Sequence, residues 1–257
     1  MIDTHCHILP FIDDGAADWD ASLAMARAAS ADGIQACIAT PHWTGEPGEH
    51  EQVAARLGEL RDRLRSARIP LEVSAGNEVV LVPRLMDALR AGTANTLAGS
   101  NYLLLETAQL EQGPFVKEAL FQLQSHGFRV ILAHPERVRT WQSRFDEVRE
   151  LISRGCFLQV TGGSLLGDFG GAARRAADEL LRRGWVSVVA SDAHSPNHRP
   201  QLLAKARSRC VELVGEGAAR ALFEENPRRI LENAQLPYPD PDARPTRRGF
   251  RWPWSRG

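Results

Sequence analysis

Histidine and acidic side chains recur in this sequence at the points where short apolar runs end. The chain opens with "MIDTHCHILPFIDDG", in which His5 and His7 are two residues apart and Asp13 and Asp14 precede a glycine. Side chains two apart on an extended segment point to the same side, so His5 and His7 can hold one ion while Cys6 faces away. Asp13 and Asp14 both follow the first predicted strand, and either carboxylate is a ligand candidate.

Similar residues follow at regular intervals. They are His42 in "ATPH", Glu78 in "GNE", Glu106 in "LLLET", His134 in "AHPER", and Asp192 and His194 in "SDAH". The steps from His42 to His134 are 36, 28 and 28 residues, and Asp192 follows after another 58. A β/α unit is about 30 residues long, so each step is one or two units. All these candidates are therefore expected at the same edge of a parallel sheet.

The donor types indicate which ions the site would hold. Imidazole and carboxylate ligands without thiolate suit Mn²⁺, Fe or Zn²⁺. With one acid of the Asp13–Asp14 pair the candidates number nine, which exceeds the needs of one ion and predicts two or three. The other eight are His5, His7, His42, Glu78, Glu106, His134, Asp192 and His194. Ions a few ångströms apart polarise a phosphoryl group and generate hydroxide at neutral pH.

Two arginines adjoin these motifs. Arg137 follows His134 by three residues, and Arg199 follows His194 by five. Guanidinium groups bind phosphate oxygens bidentately. We therefore predict that Arg137 and Arg199 bind the substrate and stabilise charge in the transition state.

The elements that would position these residues alternate along the chain. Strands are predicted near residues 1–5, 34–40, 71–75, 102–106, 129–133, 157–160 and 186–190, bounded by Gly, Pro, Asn or Asp. Helices are predicted over 18–31, 51–67, 83–91, 115–126, 144–154 and 172–183, with Asp18 as an N-cap. This alternation predicts an α/β fold with a parallel sheet. An open doubly wound sheet and a closed barrel both fit it.

Composition narrows the class of protein. The chain has 257 residues, 43% of them hydrophobic, and a net charge of −1, as in an ordinary soluble domain without whole-molecule attraction to nucleic acid. No signal peptide or spanning segment is apparent, so a cytoplasmic location is expected. The four scattered cysteines form no metal knot or disulfide framework, and none has an arginine six residues later, which excludes a cysteine-nucleophile phosphatase loop.

The composition changes after residue 235. Residues 236–257, "LPYPDPDARPTRRGFRWPWSRG", contain five prolines and five arginines. We predict a tail without regular structure there, outside a domain formed by residues 1–235. Contact of its tryptophans and arginines with an anionic membrane surface or a protein partner is the alternative.

The six quoted motifs together resemble the polymerase-and-histidinol-phosphatase (PHP) superfamily, and within it the bacterial capsule and exopolysaccharide protein-tyrosine phosphatases. The resemblance covers about residues 1–235 and implies a distorted (β/α)₇ TIM-like barrel with a trinuclear, usually manganese-dependent site. It implies that His5, His7, Glu78 and Asp192 hold a first ion; Glu78, Glu106 and His134 a second; and Asp14, His42 and His194 a third. Of the two adjacent acids, Asp14 is thus the ligand candidate, and Asp13 shapes the turn. Arg137 and Arg199 match the phosphate-binding arginines.

The resemblance also implies a function. The chain would hydrolyse phosphotyrosine in proteins with hydroxide generated at the metals, and its partner would be a tyrosine kinase that regulates polysaccharide synthesis. Two alternatives stay open at this point. One is a small-molecule phosphoesterase of the same superfamily, such as a histidinol-phosphate phosphatase, and the other is a non-catalytic regulatory module of the polysaccharide machinery.

Overall fold

The structure, a computed structural model, describes residues 1–107 and 114–243. Within these residues the strand segments run parallel. They are β1 (Ile2–Cys6), β2 (Ala36–Ala39), β3 (His42–Trp43), β4 (Glu72–Ala75), β5 (Glu78–Val79), β6 (Tyr102–Leu105), β7 (Arg129–Ala133), β8 (Phe157–Thr161) and β9 (Val188–Ala190). Each of the seven predicted strands coincides with one of these segments or with the first of a consecutive pair.

The segments form one closed barrel. β1, β2 and β4 are hydrogen-bonded in that order, as are β3, β5, β6, β7, β8 and β9. The two sheets are continuous because β2 and β3 are separated by only two residues, as are β4 and β5. Gly76 lies between β4 and β5, where the barrel has no room for a side chain: a Cβ there would lie 2.8 Å from the side chain of Ile38. A parallel bridge between Cys6 and Ala193 joins β1 to the chain beyond β9 and closes the circle.

Both faces of the barrel strands are buried. In β6, Tyr102 and Leu104 pack in a cluster inside the barrel, whereas Leu103 and Leu105 pack against the outer helices. The period-2 alternation of a strand sends successive side chains to opposite faces, and here both faces need apolar residues. The continuous apolar run "YLLL" is the sequence signature of this double burial.

Helices surround the barrel. They are α1 (Trp19–Ala31), α2 (Glu49–Ser66), α3 (Leu85–Ala91), α4 (Pro114–Ser125), α5 (Phe145–Ser153), α6 (Gly162–Leu166), α7 (Gly170–Arg182), α8 (Ala204–Val214), α9 (Glu216–Arg220) and α10 (Asn226–Leu231). Asp18 is the N-cap of α1, as predicted, and its Oδ1 accepts the amide of Ala21 at 2.8 Å. No helix in the described part of the chain is long and apolar enough to cross a membrane.

Residues 236–243 lie across the end of the barrel where the strands begin. They contain no helix or strand, but Leu236 is buried in the inner cluster and its amide donates to the Tyr102 hydroxyl at 2.7 Å. The ring of Tyr238 stacks on Phe157 with centroids 5.1 Å apart. The indole of Trp185 donates to the Asp240 carbonyl at 3.0 Å. The remainder of the predicted tail, residues 244–257, lies outside the described residues, and the predicted boundary at residue 235 stays a prediction.

Candidate metal centre

All nine predicted ligands lie together at the carboxyl ends of the barrel strands. His5 is in β1 and His7 follows it, while His42 and Glu78 begin β3 and β5. The others directly follow strands: Glu106 after β6, His134 after β7, and Asp192 and His194 after β9. Asp14 lies in the loop after β1. In a parallel barrel this end is where loops from several strands converge on one site.

The innermost ligands surround the Nε2 atom of His5. This atom is 3.1 Å from His7 Nε2, 3.3 Å from an Asp192 carboxylate oxygen and 3.4 Å from Glu78 Oε2. All four residues are buried. His5, His7 and Asp192 therefore form one compact group of potential ligands.

Glu78 connects this group to a second. Its Oε1 is 2.9 Å from His134 Nε2, and its Oε2 is 3.1 Å from His42 Nδ1. His134 Nε2 also lies 3.7 Å from Glu106 Oε2. The two Glu78 oxygens thus face histidines on different sides, so this carboxylate connects the two groups of potential ligands.

A third group lies at the more open side of the site. Asp14 Oδ1 is 3.5 Å from His42 Nε2 and 3.4 Å from His194 Nε2. His7 also belongs to this group, with its ring stacked on that of His194 at 3.9 Å between centroids. The Asp14 side chain is 68% exposed. The centre therefore extends from the barrel interior to the surface.

The hydrogen bonds of three histidines indicate that the centre is built for cations. An acceptor faces the Nδ1 atom of each: the Asp13 carboxylate at 2.6 Å for His7, the Gln159 amide oxygen at 3.0 Å for His5, and the Asp192 carbonyl at 3.0 Å for His194. These acceptors assign a proton to Nδ1, so that Nε2 is the nitrogen that faces the centre, as in histidines that bind metals. The Nε2 atoms of His5 and His7 lie only 3.1 Å apart and beside the carboxylates of Glu78 and Asp192, so a cation, either a proton or a metal ion, is favoured between them. The donor set therefore fits divalent metal ions.

The pKa values show that the carboxylates attract positive charge to the centre. Burial opposes ionisation of Asp192, but His5, His134 and the nearby arginines outweigh it and lower its pKa to about 2. Burial and the neighbouring His7 lower the pKa of His194 to about 4. Burial also lowers the pKa of His5, but Glu78 and Asp192 outweigh it and raise the value to about 10. At neutral pH Asp192 is thus ionised and His194 is neutral, the forms that bind metals, whereas His5 carries a proton that a metal ion must displace.

Two ligands have a strained backbone. His134 and Asp192 have φ angles of 36° and 54°, in the left-handed region that residues with a Cβ rarely adopt. Such conformations cost on the order of 1–3 kcal/mol and persist where the surroundings impose them, often at functional sites. Here they turn the two side chains from the ends of β7 and β9 toward the centre.

The two predicted arginines meet at Asp192. A guanidinium nitrogen of Arg199 lies 2.5 Å from Asp192 Oδ2, and Arg137 bonds the same oxygen. Both arginine side chains are nearly one-third exposed, at 28% and 30%. They can therefore reach a phosphate at the surface while remaining next to the ligand cluster.

Several residues of the site were not predicted from the sequence. Asp13 does more than shape the turn, because its carboxylate accepts from His7, from the amide of His42 at 2.9 Å and from that of Gly15. Gln159 orients His5, and Phe169 lies beneath both arginines. Only the pattern "DDG" gave a local signal for any of these, since their partners are distant in sequence.

Asp3 is a further unpredicted residue. Fully buried in β1, it accepts hydrogen bonds from the amide and hydroxyl of Ser191, the latter at 2.6 Å, and from Gln201 at 2.9 Å. It thereby ties the first strand to the residue before Asp192.

Fold and site together define a metal-dependent barrel hydrolase. A model of the family described as capsular polysaccharide synthesis, CpsB/CapC, matches residues 1–232. The chain belongs to this family, which confirms the relationship predicted from the motifs.

Named relatives extend this finding. Tyrosine-protein phosphatase YwqE from Bacillus subtilis (strain 168) is 35% identical over 201 residues, which cover 77% of this chain and 79% of YwqE. The putative tyrosine-protein phosphatase CapC from Staphylococcus aureus is 28% identical over 244 residues, covering 92% of this chain and 93% of CapC.

Solved structures confirm the predicted PHP-type (β/α)₇ barrel. A chain from the crystal structures of YwqE from Bacillus subtilis and CpsB from Streptococcus pneumoniae, described as unique metal-dependent tyrosine phosphatases, superposes with a TM-score of 0.88. It is 32% identical, and the match covers 96% of this chain and 100% of that chain. The lactonase Lmo2620 from Listeria monocytogenes, 12% identical with a TM-score of 0.55, shares the fold alone.

Proposed function

We propose that this chain is a metal-dependent tyrosine phosphatase that removes phosphate from tyrosine side chains of proteins in capsular polysaccharide synthesis. The observation that carries the proposal is that Asp192 joins two arginines to a cluster of nine metal-ligand side chains, which extends from the buried interior to the surface. Its relatives YwqE and CpsB, described as metal-dependent tyrosine phosphatases, support it.

The residues of the chain divide the chemistry between them. Arg137 and Arg199 bind the non-bridging phosphate oxygens and neutralise charge that develops on them in the transition state. Divalent ions in this setting polarise the phosphoryl group and lower the pKa of water, so that hydroxide is available at neutral pH. A phenol has a pKa of about 10, and therefore tyrosine needs less help in leaving than an alkyl alcohol does.

We further propose the division of ligands among the ions. His5, His7, Glu78 and Asp192 would hold one ion; Glu78, Glu106 and His134 a second; and Asp14, His42 and His194 a third. The distances within the three groups support this division. Mn²⁺ is the proposed metal, in two or three copies, with Fe and Zn²⁺ as the alternatives compatible with the same donors.

The proposed substrate is a tyrosine-phosphorylated protein, specifically a tyrosine kinase that regulates polysaccharide synthesis. The exposure of Asp14, His42 and both arginines supports a protein substrate, since in the described part of the chain the outer ligands reach the surface. A cytoplasmic location stays a prediction.

Phosphate release from a phosphotyrosine peptide tests this function. The purified chain is stripped with chelator and reloaded with Mn²⁺, Fe²⁺ or Zn²⁺, and the rate is compared with those on a phosphoserine peptide and on histidinol phosphate. We expect metal-dependent turnover that strongly favours phosphotyrosine. Preference for histidinol phosphate would indicate a small-molecule phosphoesterase instead. Full metal occupancy without turnover on any substrate would contradict the proposal that the chain is an enzyme.

A matched pair of variants connects turnover to the centre. Glu78→Gln removes the bridging carboxylate, and we expect activity to fall more than about 100-fold, since even residues behind metal ligands commonly contribute 10–100-fold. Glu72→Gln is the control, because Glu72 is exposed on β4, at the opposite end of the same barrel strand. Equal activity of the two variants would mean that catalysis does not depend on Glu78.

A further inference from the structure

Phe169 lies against both phosphate-binding arginines. It immediately precedes α7 and is half-buried. The guanidinium carbon of Arg137 is 4.5 Å from the centre of its ring, and that of Arg199 is 5.5 Å away. One aromatic ring therefore contacts two cations that come from different loops of the barrel.

The arrangement of these arginines poses an electrostatic problem. Both guanidinium groups bond the same oxygen of Asp192, so two positive charges lie close together in a partly buried place. The other oxygen of Asp192 faces His5 and His194, which are proposed metal ligands. A single carboxylate is thus shared between the arginines and the metal centre.

The ring of Phe169 reduces the repulsion between the two guanidinium groups. The face of an aromatic ring carries partial negative charge and attracts a cation within about 6 Å of its centre. The Nε atom of Arg199 is buried and has no hydrogen-bond partner among the described residues, so this side of the group is not fixed by a hydrogen bond. The ring supplies the support that is missing there.

The protein leaves room for the ring at this place. Gly163 in α6 lies directly behind it, and a Cβ on that residue would be 3.0 Å from Phe169 Cε2. The absence of a side chain at Gly163 therefore allows the ring its position between α6 and the arginines.

We propose that Phe169 is a positioning residue that holds Arg137 and Arg199 side by side and thereby sets the affinity of the site for phosphate. This rests on the proposed function in that the arginines bind the substrate phosphate. When a phosphate draws the guanidinium groups away from Asp192, their contact with the ring remains. The ring therefore keeps the two arginine side chains in position while they bind the phosphate.

The dissociation constant of inorganic phosphate for the metal-loaded protein, measured by calorimetry, tests the proposal. Phe169→Leu keeps apolar bulk without the ring face, and we expect phosphate to bind about 5- to 30-fold more weakly, as the loss of two cation–π contacts predicts. Phe169→Tyr keeps the face and should bind like the wild type. The KM for a phosphotyrosine peptide should rise in parallel with the phosphate constant in the leucine variant.

Two controls exclude a general structural effect. Metal content and melting temperature should be unchanged in both variants. Phe145→Leu removes a similar contact, with Arg183 at 5.4 Å, away from the ligand groups, and should leave phosphate binding unchanged.

Three results would overturn the proposal. They are unaltered phosphate binding in Phe169→Leu, equal weakening in Phe169→Tyr, and a higher KM for the peptide with normal phosphate binding, which would mean that the ring contacts the tyrosine of the substrate. If the wild type bound phosphate but failed to hydrolyse phosphotyrosine, the proposed function would fail, while the phosphate constants would still decide the role of Phe169.

Discussion

Asp13 shows how much of the centre depends on residues that bind no metal. Its carboxylate fixes the proton of His7 on Nδ1 and holds the amide of His42, so one side chain orients two proposed ligands from different strands. An asparagine side chain would make these two contacts less well. A carboxylate can accept both hydrogen bonds and carries a negative charge, whereas an amide is neutral.

We expect Asp13→Asn to weaken metal binding by about 10–100-fold, the usual effect of removing a carboxylate behind a metal-binding histidine. Metal titration with a competing chelator measures it. Asp20→Asn, in the exposed first turn of α1, is the control and should bind metal normally. Equal affinities in the two variants would mean that His7 needs no orienting carboxylate.

Asp13 should also make the stability of the metal-free protein depend on pH. Burial raises the pKa of its carboxyl, but the hydrogen bond with His7 outweighs burial and lowers the pKa to about 2. A carboxyl with a lowered pKa in the folded state stabilises the protein above its unfolded value of about 3.9 and loses this contribution as the pH falls toward 2. The stability difference between wild type and Asp13→Asn should therefore shrink by about 2 kcal/mol from pH 5 to pH 2. Urea unfolding measures this difference, and a constant value over that range would contradict the shift.

The ligands themselves could be predicted from the sequence because the strand period and the β/α spacing place them at one edge. The residues that orient them could not. Asp3 is hydrogen-bonded to Ser191, and His5 to Gln159, across the closed barrel. No local sequence pattern predicts partners so far apart in the chain. The role of Phe169 could not be predicted either, since a single phenylalanine before a helix is common.

At the scale of elements, the loop after β1 is as constrained as the strands. Gly15 ends this loop with its Cα packed against β1, where a Cβ would lie 2.2 Å from the carbonyl oxygen of His7. The loop carries Asp13 and Asp14, so its path decides where both carboxylates lie.

We expect Gly15→Ala to lower the free energy of unfolding by about 1–3 kcal/mol, as overpacking does, and to reduce the metal content. The same substitution at Gly58 is the control: it lies in the exposed interior of α2 with open space around its Cα. There alanine should raise stability by about 0.5–1 kcal/mol, because glycine is the poorer helix former. Chemical unfolding of both variants with metal analysis distinguishes them, and equal effects would contradict the packing argument.

The strands were predictable because their double burial leaves continuous apolar runs. The interruptions at residues 40–41 and 76–77 were not, since strand pairing changes there and a local sequence pattern does not encode pairing. The short helix α6 also escaped prediction, since "GGSLL" contains two residues of low helix propensity. Its position depends on packing against α7 and α8 rather than on its own sequence.

At the scale of the molecule, residues 236–243 close the end of the barrel opposite the metal centre. Pro and Asp in "LPYPDPDA" predicted irregular structure, and the chain there is irregular. Composition did not reveal that Leu236 fills the inner cluster or that Trp185 bonds the Asp240 carbonyl, because the partners in both contacts are distant in the sequence.

Truncation after Gln235 should therefore cost about 2–5 kcal/mol, the range for deleting a buried leucine side chain. Truncation after Ala243 retains all these contacts and is the matched control. Thermal unfolding of the two shortened proteins provides the comparison. If both melt at the temperature of the full chain, residues 236–243 contribute nothing to the barrel.

The closure of the barrel between β1 and β9 has a consequence for the order in which the centre assembles. Asp192 donates its amide to the His5 carbonyl, and His7 donates to Ala193, so the first ligands in the chain meet the last across this seam. A nascent chain that has not yet extended past residue 192 cannot complete the His5–His7–Asp192 group, however well its earlier strands are formed. Capture of an ion by this group is consequently one of the last events in the maturation of the protein, and an ion bound there fastens the two ends of the barrel together.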